Sequence, residues 1–289
     1  MSINISSQCL LCHLNRTVET VRPLGTEEQT MAFVQDLLRL YLRVPENVGS
    51  PWLTPDTNQL LLKHYGIPLD RYRQEKIDSN AFAMERYDML RDRVFSAPDP
   101  VFAGIQYAVL GNYLDFAALQ GKVSFEKLNE MLDNALHMEL DKQVYEDMCQ
   151  DLGKAKTLLY VTDNAGEIVF DRICAEAIAR KYPNLAITFC VRGDIANNDA
   201  TREDAAAVGI PFPVIDNGNN VPGTQMDMLS EEAEQAFRTS DVIFAKGMAN
   251  VETMFGCGLN VYYAFLVKCA RFVERFGKEM LSPVLVKDH

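Results

Sequence analysis

The 289-residue chain, 48% hydrophobic and 24% charged, has the composition of a folded globular protein long enough to bury a sizeable core without disulfide or metal staples. Its 40 acidic and 28 basic residues give a net charge of −12, which argues against nucleic acid and anionic membranes as main partners, since clustered Lys and Arg hold both. A small phosphorylated metabolite stays open as a partner, because a bound metal ion or a few local cations reverse the field inside one cleft.

Residues 1–8 carry neither a basic nor an apolar leader region, and no apolar run reaches the roughly 18–20 residues of a membrane span. Seven cysteines, an odd number and mostly within apolar segments, fit reduced thiols, so the expected setting is the cytoplasm. Residues 1 to about 150 read as successive helices, with apolar positions recurring at three and four spacing. Thr26 and Gln29 suit a capping box for a helix running through Leu42. A second helix starts near Thr57 and should stop at Gly66 and Pro68. Residues 72–95 intersperse charges with Ile77, Phe82, Met84, Met89 and Leu90, which predicts one long helix with a solvated face. Asp99-Pro100 breaks the chain, and residues 101–119 are apolar almost all round, the pattern of a buried helix. Asn112 and Asp115 interrupt that run on one face. Helices from Ser124 and from about Leu140 follow, the second closing near Gly153.

After residue 155 the rhythm changes to short β-rich runs at 157–161, 186–191, 241–245 and 261–267, separated by helical stretches at 167–181, 201–207 and 230–238. Residues 280–286 suit one further edge strand. The expected fold is α/β: a Rossmann-like, mainly parallel sheet with flanking helices over 151–289, preceded by an all-helical subdomain over 1–150.

In such a sheet the site forms beyond the carboxyl ends of the strands. The first strand leads into Thr162, Asp163, Asn164, Ala165, Gly166 and Glu167. The second leads into Arg192, Gly193 and Asp194, then Asn197, Asn198, Asp199 and Thr201, and the third into Lys246, Gly247, Asn250 and Glu252. Hard oxygen ligands from Asp and Asn suit Mg²⁺ or Mn²⁺, a cation neutralises transferring phosphoryl oxygens, and a helix opening near Gly166 presents N–H groups to an anion. Each cluster taken singly also reads as an N-cap or an ordinary polar turn; three at one sheet edge favour a site.

At these residues the chain resembles the metal-dependent damage-control phosphatase family, first catalogued as a domain of unknown function and also described as acidic-residue methyltransferase-like. Residues 163–167 (Asp-Asn-Ala-Gly-Glu) with Asp171, residues 198–201 (Asn-Asp-Ala-Thr), and Lys246, Gly247, Asn250 and Glu252 match its three motifs. In the helical half, Gly111-Asn112-x-x-Asp115-Phe116, Asp70-x-Tyr72 with Lys76 and Asn80, and Cys9-x-x-Cys12 resemble further motifs of the prokaryotic-type members, as does Lys268-Cys269. Arg71 stands where the family usually has Pro, and Met248 where Gln or Gly is common. The resemblance implies a divalent metal, Mg²⁺ or Mn²⁺ before Co²⁺ or Ni²⁺, held by Asp163, Asn164 and Asp199. It implies catalytic roles for Asp163, Asp199 and Lys246, with Lys246 on the substrate phosphate. Gly166, Glu167, Arg192, Asn250 and Glu252 are expected around the substrate, and Asn112 and Asp115 on the cleft floor.

The expected activity is hydrolysis of small phosphate monoesters, sugar phosphates or damaged phosphometabolites. An S-adenosylmethionine-dependent carboxylate methyltransferase and a non-catalytic metal or phosphate binder are the alternatives. Cys9-x-x-Cys12-His13 spells a c-type haem attachment pattern, which requires export; a reduced pair packed in the first helix is the plainer expectation. Residues 256–258 make no dinucleotide fingerprint, and no P-loop is present.

Overall fold

The structure, a computed structural model, describes residues 3–114, 130 and 132–288. Helix α1 (Ser7–Val21) starts on Ser6, whose hydroxyl accepts from Cys9 N, and carries both Cys9 and Cys12. Helix α2 (Glu27–Tyr41) starts at Thr26, whose Oγ1 accepts from Gln29 N at 3.2 Å. The Gln29 side chain does not return the bond; it donates to the carbonyl of His64 in α3 (Thr54–Tyr65), so the cap is one-sided and joins the two helices. Helix α3 stops at Gly66, whose φ of +66° is the left-handed geometry that ends a helix. Val21, Phe33, Leu37, Leu40, Leu53 and Leu61 form a small core of their own among α1, α2 and α3.

The single helix expected over 72–95 is two, α4 (Arg73–Met84) and α5 (Tyr87–Phe95). Arg86 makes the break: its Nη1 donates to the Phe82 carbonyl at 2.9 Å, and its guanidinium lies 3.7 Å over the Phe82 ring. A straight helix of that length would span roughly 36 Å and bury one stripe. Two short ones let Phe82 and Leu90 both reach the core at their own angles. Helix α6 (Pro100–Gly111) is capped by Asp99, which accepts from Val101 N and Phe102 N. It ends earlier than expected, in a 3₁₀ turn at Asn112–Leu114. Residues 115–119 of the expected helix, and most of the one expected from Ser124, lie outside the described residues. Helix α7 (Lys142–Lys154) then leads to the sheet.

The strands are β1 (Thr157–Val161), β2 (Ala186–Val191), β3 (Val214–Asp216), β4 (Val242–Lys246), β5 (Val261–Leu266) and β6 (Pro283–Lys287), in the order β3-β2-β1-β4-β5-β6. The first five pair in parallel, and β6 runs antiparallel to β5. Helices α8 (Glu167–Lys181), α9 (Arg202–Ala207), α10 (Glu231–Thr239), α11 (Gly247–Met254) and α12 (Ala270–Phe276) complete the described elements. This is the doubly wound order, and its switch point lies between β1 and β4.

Alternate strand residues feed two cores. Leu158, Tyr160, Phe189, Phe244 and Tyr262 pack with α4, α5, α6 and α8 on one face. Leu159, Val161, Ile243 and Phe265 pack on the other, together with Phe272 of α12. The first core includes residues on both sides of position 150, so α4–α6 are built onto the sheet rather than standing apart from it. Helix α6 reaches α8 closely because glycine faces it. A Cβ on Gly111 would lie 2.9 Å from the Phe170 ring, and that closeness brings the next residue, Asn112, over the first turn of α8.

Candidate active site

Two loops flank the switch point. After β1, Asp163 and Asn164 lead to Gly166 at φ +74°, where the chain turns into α8. After β4, Gly247 at φ +77° opens α11. The loop after β2 closes over the first: Ala165 N donates to the Asn198 carbonyl at 2.9 Å, Ala200 N to the Asp163 carbonyl at 2.7 Å, and Asn164 bridges with Asp199. Asp163, Asn164 and Asp199 therefore come together, each at most 4% exposed.

Beneath them lies a layer of neutral amide donors. Asn112 Nδ2 donates to Asp163 Oδ2 and to Glu167 Oε2, both at 2.9 Å. Asn164 Nδ2 donates to the same two oxygens at 2.8 Å. A third layer holds the buried charge. Lys246, on the same face of β4 as Phe244 by the period of the strand, points under α8 and α6. Its Nζ donates to Glu167 Oε1 (2.9 Å), Asp171 Oδ1 (3.0 Å) and the Ala108 carbonyl (2.7 Å), which engages all three of its donors. Glu167 and Asp171, four apart on α8, share one helix face, and Tyr160 from β1 donates to Asp171 Oδ1 at 2.9 Å. Burial pushes the Asp171 carboxyl above the usual carboxylate range, although Lys246 pulls it down. Burial alone would lower the Lys246 pKa, but the two carboxylates hold it above its ordinary value, so the lysine stays charged.

Arg192, 1% exposed, clamps the second loop. It donates from Nε to Asp199 Oδ2 (2.7 Å) and from Nη2 to the Thr162 carbonyl (3.0 Å) and Asn250 Oδ1 (3.2 Å). Asn250 is held from every side, giving Nδ2 to the Thr162 and Lys246 carbonyls and receiving Thr224 Oγ1. Gly166 N donates to Asn80 Oδ1, and Asn80 and Lys76 both bind Asp204, which completes the capping box of α9 by accepting from Thr201 N. Glu252 accepts from Ser50 Oγ, and burial raises its pKa. Lys268 donates to the Asn112 carbonyl. Asp115 lies outside the described residues. Most side chains expected to touch substrate are thus buried one layer below the acids, partnered within the protein. Thr224 and Asn58 join the network without having been expected, and Asp171 and Asn197, singled out in the motif and strand-end readings without a role, join it too; the i, i+4 spacing of Glu167 and Asp171 was the available signal.

A cleft of about 1070 Å³ lies between α1 and α3 on one side and the strand-end loops on the other. Asn197, Met248, Glu252 and Lys268, from the segments that follow β2, β4 and β5, line it together with Arg71 and Cys9, while Asp163, Asn164 and Asp199 are not among its lining residues. Among the described residues no three His, Cys, Asp or Glu side chains converge as a metal cage. The Asn164 amide meets the Asp163 carboxylate, and the backbone bridge from Asn164 brings Asp199 alongside; an oxygen set with few carboxylates fits a hard ion that keeps water and substrate oxygens as further ligands. No helix of the described residues is long and apolar enough to cross a membrane.

The damage-control phosphatase ARMT1-like domain profile matches residues 5–283. The chain belongs to that family. An uncharacterized protein of Methanocaldococcus jannaschii is 29% identical over 305 residues, covering 99% of this chain and 96% of that one. A damage-control phosphatase of Archaeoglobus fulgidus is 31% identical over 284 residues, covering 95% and 96%. In fold, a DUF89 family protein from Pyrococcus horikoshii superposes with a TM-score of 0.81 over 99% of each chain at 24% identity. Phosphomonoester hydrolysis supported by a divalent metal is therefore the activity of this damage-control phosphatase. The methyltransferase alternative is not favoured: its first loop carries Asp163 and Asn164 where a methyltransferase needs a glycine-rich cofactor turn.

Proposed function

We propose that the enzyme hydrolyses small phosphate monoesters, sugar phosphates or damaged phosphometabolites, with Asp163, Asn164 and Asp199 holding Mg²⁺ or Mn²⁺. The observation that supports this reading is the backbone bridge that sets Asn164 against Asp199 at the sheet's switch point, next to an Asp163 carboxylate held by amide donors. A divalent ion bound there would polarise the phosphoryl group and offset charge on its oxygens. The chain's own residues set the geometry. Asn112 and Asn164 fix the Asp163 carboxylate, and Arg192 fixes that of Asp199. Lys246 is assigned here to holding Glu167 and Asp171 beneath the acids rather than to touching phosphate, because its donors are engaged. Seven free thiols support a reducing, cytoplasmic setting.

The test is phosphate release by the metal-stripped protein from a panel of phosphate esters, with Mg²⁺, Mn²⁺, Co²⁺ and Ni²⁺ added singly, beside the Asp163→Ala variant. Metal-dependent release that disappears in the variant is expected. No release with any metal, or full release by Asp163→Ala, overturns the reading.

A further inference from the structure

We propose that Arg71 forms a second anion position in the cleft, so that the preferred substrate is a phosphate monoester bearing another acidic group, a carboxylate or a second phosphate. The inference rests on the phosphatase reading and names the substrate class for the same site. Arg71 lies in the turn between α3 and α4 and lines the cleft. Its guanidinium sits 4.8 Å over the Tyr72 ring, and Nη2 donates to Asn58 Oδ1 at 2.9 Å and Asn197 Oδ1 at 3.4 Å. Nη1 is buried and meets no acceptor among the described residues.

Arg71 is half-buried, and its contrast with the fully buried cations is what points to a ligand. Lys246 is neutralised by Glu167 and Asp171, and Arg192 by Asp199. Arg71 has only neutral amide oxygens and a ring face around it, with no carboxylate paired to it among the described residues. A desolvated guanidinium donor without an acceptor is unfavourable until something supplies one, and its planar fork matches a carboxylate or phosphate. The position is right for a substrate's far end. Asn197, which Arg71 contacts, stands two residues before Asp199 and adopts φ +52°, the left-handed turn that asparagine takes more readily than most residues. The field agrees: Arg16, Arg71, Lys268 and Arg271 line the same cleft against the carboxylates Glu75 and Glu252, in a chain whose net charge is −12.

The test uses metal-loaded enzyme and three compounds sharing one phosphate ester: a hexose monophosphate, the phosphorylated aldonic acid, and the hexose bisphosphate. Wild type should favour at least one doubly acidic compound by about tenfold in kcat/KM through KM, the scale of one charge-assisted pair. Which of the two it favours tells carboxylate from phosphate. Arg71→Gln should lower kcat/KM for the favoured compound about tenfold more than for the monophosphate, and Arg71→Lys should restore part of the difference. Equal wild-type values for all three compounds, or an equal fall for all three in Arg71→Gln, overturns the inference; the second result would make Arg71 a support for Asn197 only. Absence of turnover with every metal would overturn the phosphatase reading instead. Titration calorimetry with the same compounds then decides on affinity alone: weaker binding in Arg71→Gln confined to the doubly acidic compounds sustains the anion position, and unchanged or uniformly weakened binding removes it.

Discussion

Gly247 faces Asp163 so closely that a Cβ built on it would stand 1.8 Å from Oδ2 and 2.2 Å from Cγ. Its φ of +77° is also one that residues with a side chain rarely adopt. The glycine thus lets the loop after β4 close onto the carboxylate of the loop after β1. Gly247→Ala should displace Asp163 and lower metal-dependent turnover by about a hundredfold, the effect of misplacing a reacting group by roughly 1 Å. The left-handed backbone adds a stability loss of about 1–2 kcal/mol. Steady-state kinetics and thermal unfolding check both; wild-type kinetics in a stably folded variant would mean that Asp163 has no catalytic placement to lose.

Asn112 gives one amide group to both Asp163 Oδ2 and Glu167 Oε2. Groups that orient metal-binding carboxylates typically change metal affinity by about 10–100-fold when removed. Asn112→Ala should therefore need that much more metal for half-maximal activity and recover much of its turnover when metal is raised. A turnover defect that no metal concentration repairs would place Asn112 against the substrate instead.

Strand runs and their polar termini made the sheet and the three motif loops readable, because short β-rich apolar runs and side-chain chemistry are local properties. Strand β3 was missed: it is three residues long, follows Pro211 and Pro213, and draws its pairing from β2. The division of the 72–95 helix was hidden because no Gly or Pro marks it and Arg86 makes the turn through its own contacts. The site was legible as a set of residues but not as layers. Lys246 ends a strand as a substrate-facing cation could; only the tertiary position of α8, with Glu167 and Asp171 on one face, supplies its buried partners. Gly223 and Thr224 look like turn residues, yet they donate to Asp199 and Asn250.

Removing that lysine gives a prediction with a pH signature. Lys246→Met leaves Glu167 and Asp171 buried without their cation, a change worth about 3–5 kcal/mol of stability near neutral pH. The folded-state pKa of Asp171 is already raised, so the stability it contributes is full below the ordinary carboxylate value and is lost as pH rises through the raised one. Without Lys246 that pKa rises further, so the variant's deficit should grow from about pH 5 to about pH 8 and shrink in acid. Denaturant unfolding at both values measures it. A deficit that is constant with pH would indicate lost packing rather than uncompensated carboxylates.

Asp36 offers the opposite sign, away from the site. It joins α2 to α3 by accepting from Lys63 Nζ (2.7 Å), His64 Nε2 (2.9 Å) and Arg39 Nη1 (2.5 Å). Lys63 and His64, then Arg39, hold its carboxyl well below the usual range. A lowered folded-state pKa contributes stability at pH above the ordinary carboxylate value, and that stability is lost as pH falls toward the lowered one. Lys63 and Arg39 are 64% and 69% exposed, so solvent screening limits the effect to about 1 kcal/mol. Asp36→Asn should therefore unfold earlier than wild type at about pH 7, and the two should converge near pH 2. Raising the salt to about 1 M should narrow the gap at pH 7, because the Debye length falls to roughly 3 Å. If the difference persists undiminished in acid and in salt, the carboxylate acts through its shape and neutral hydrogen bonds, and its charge contributes nothing.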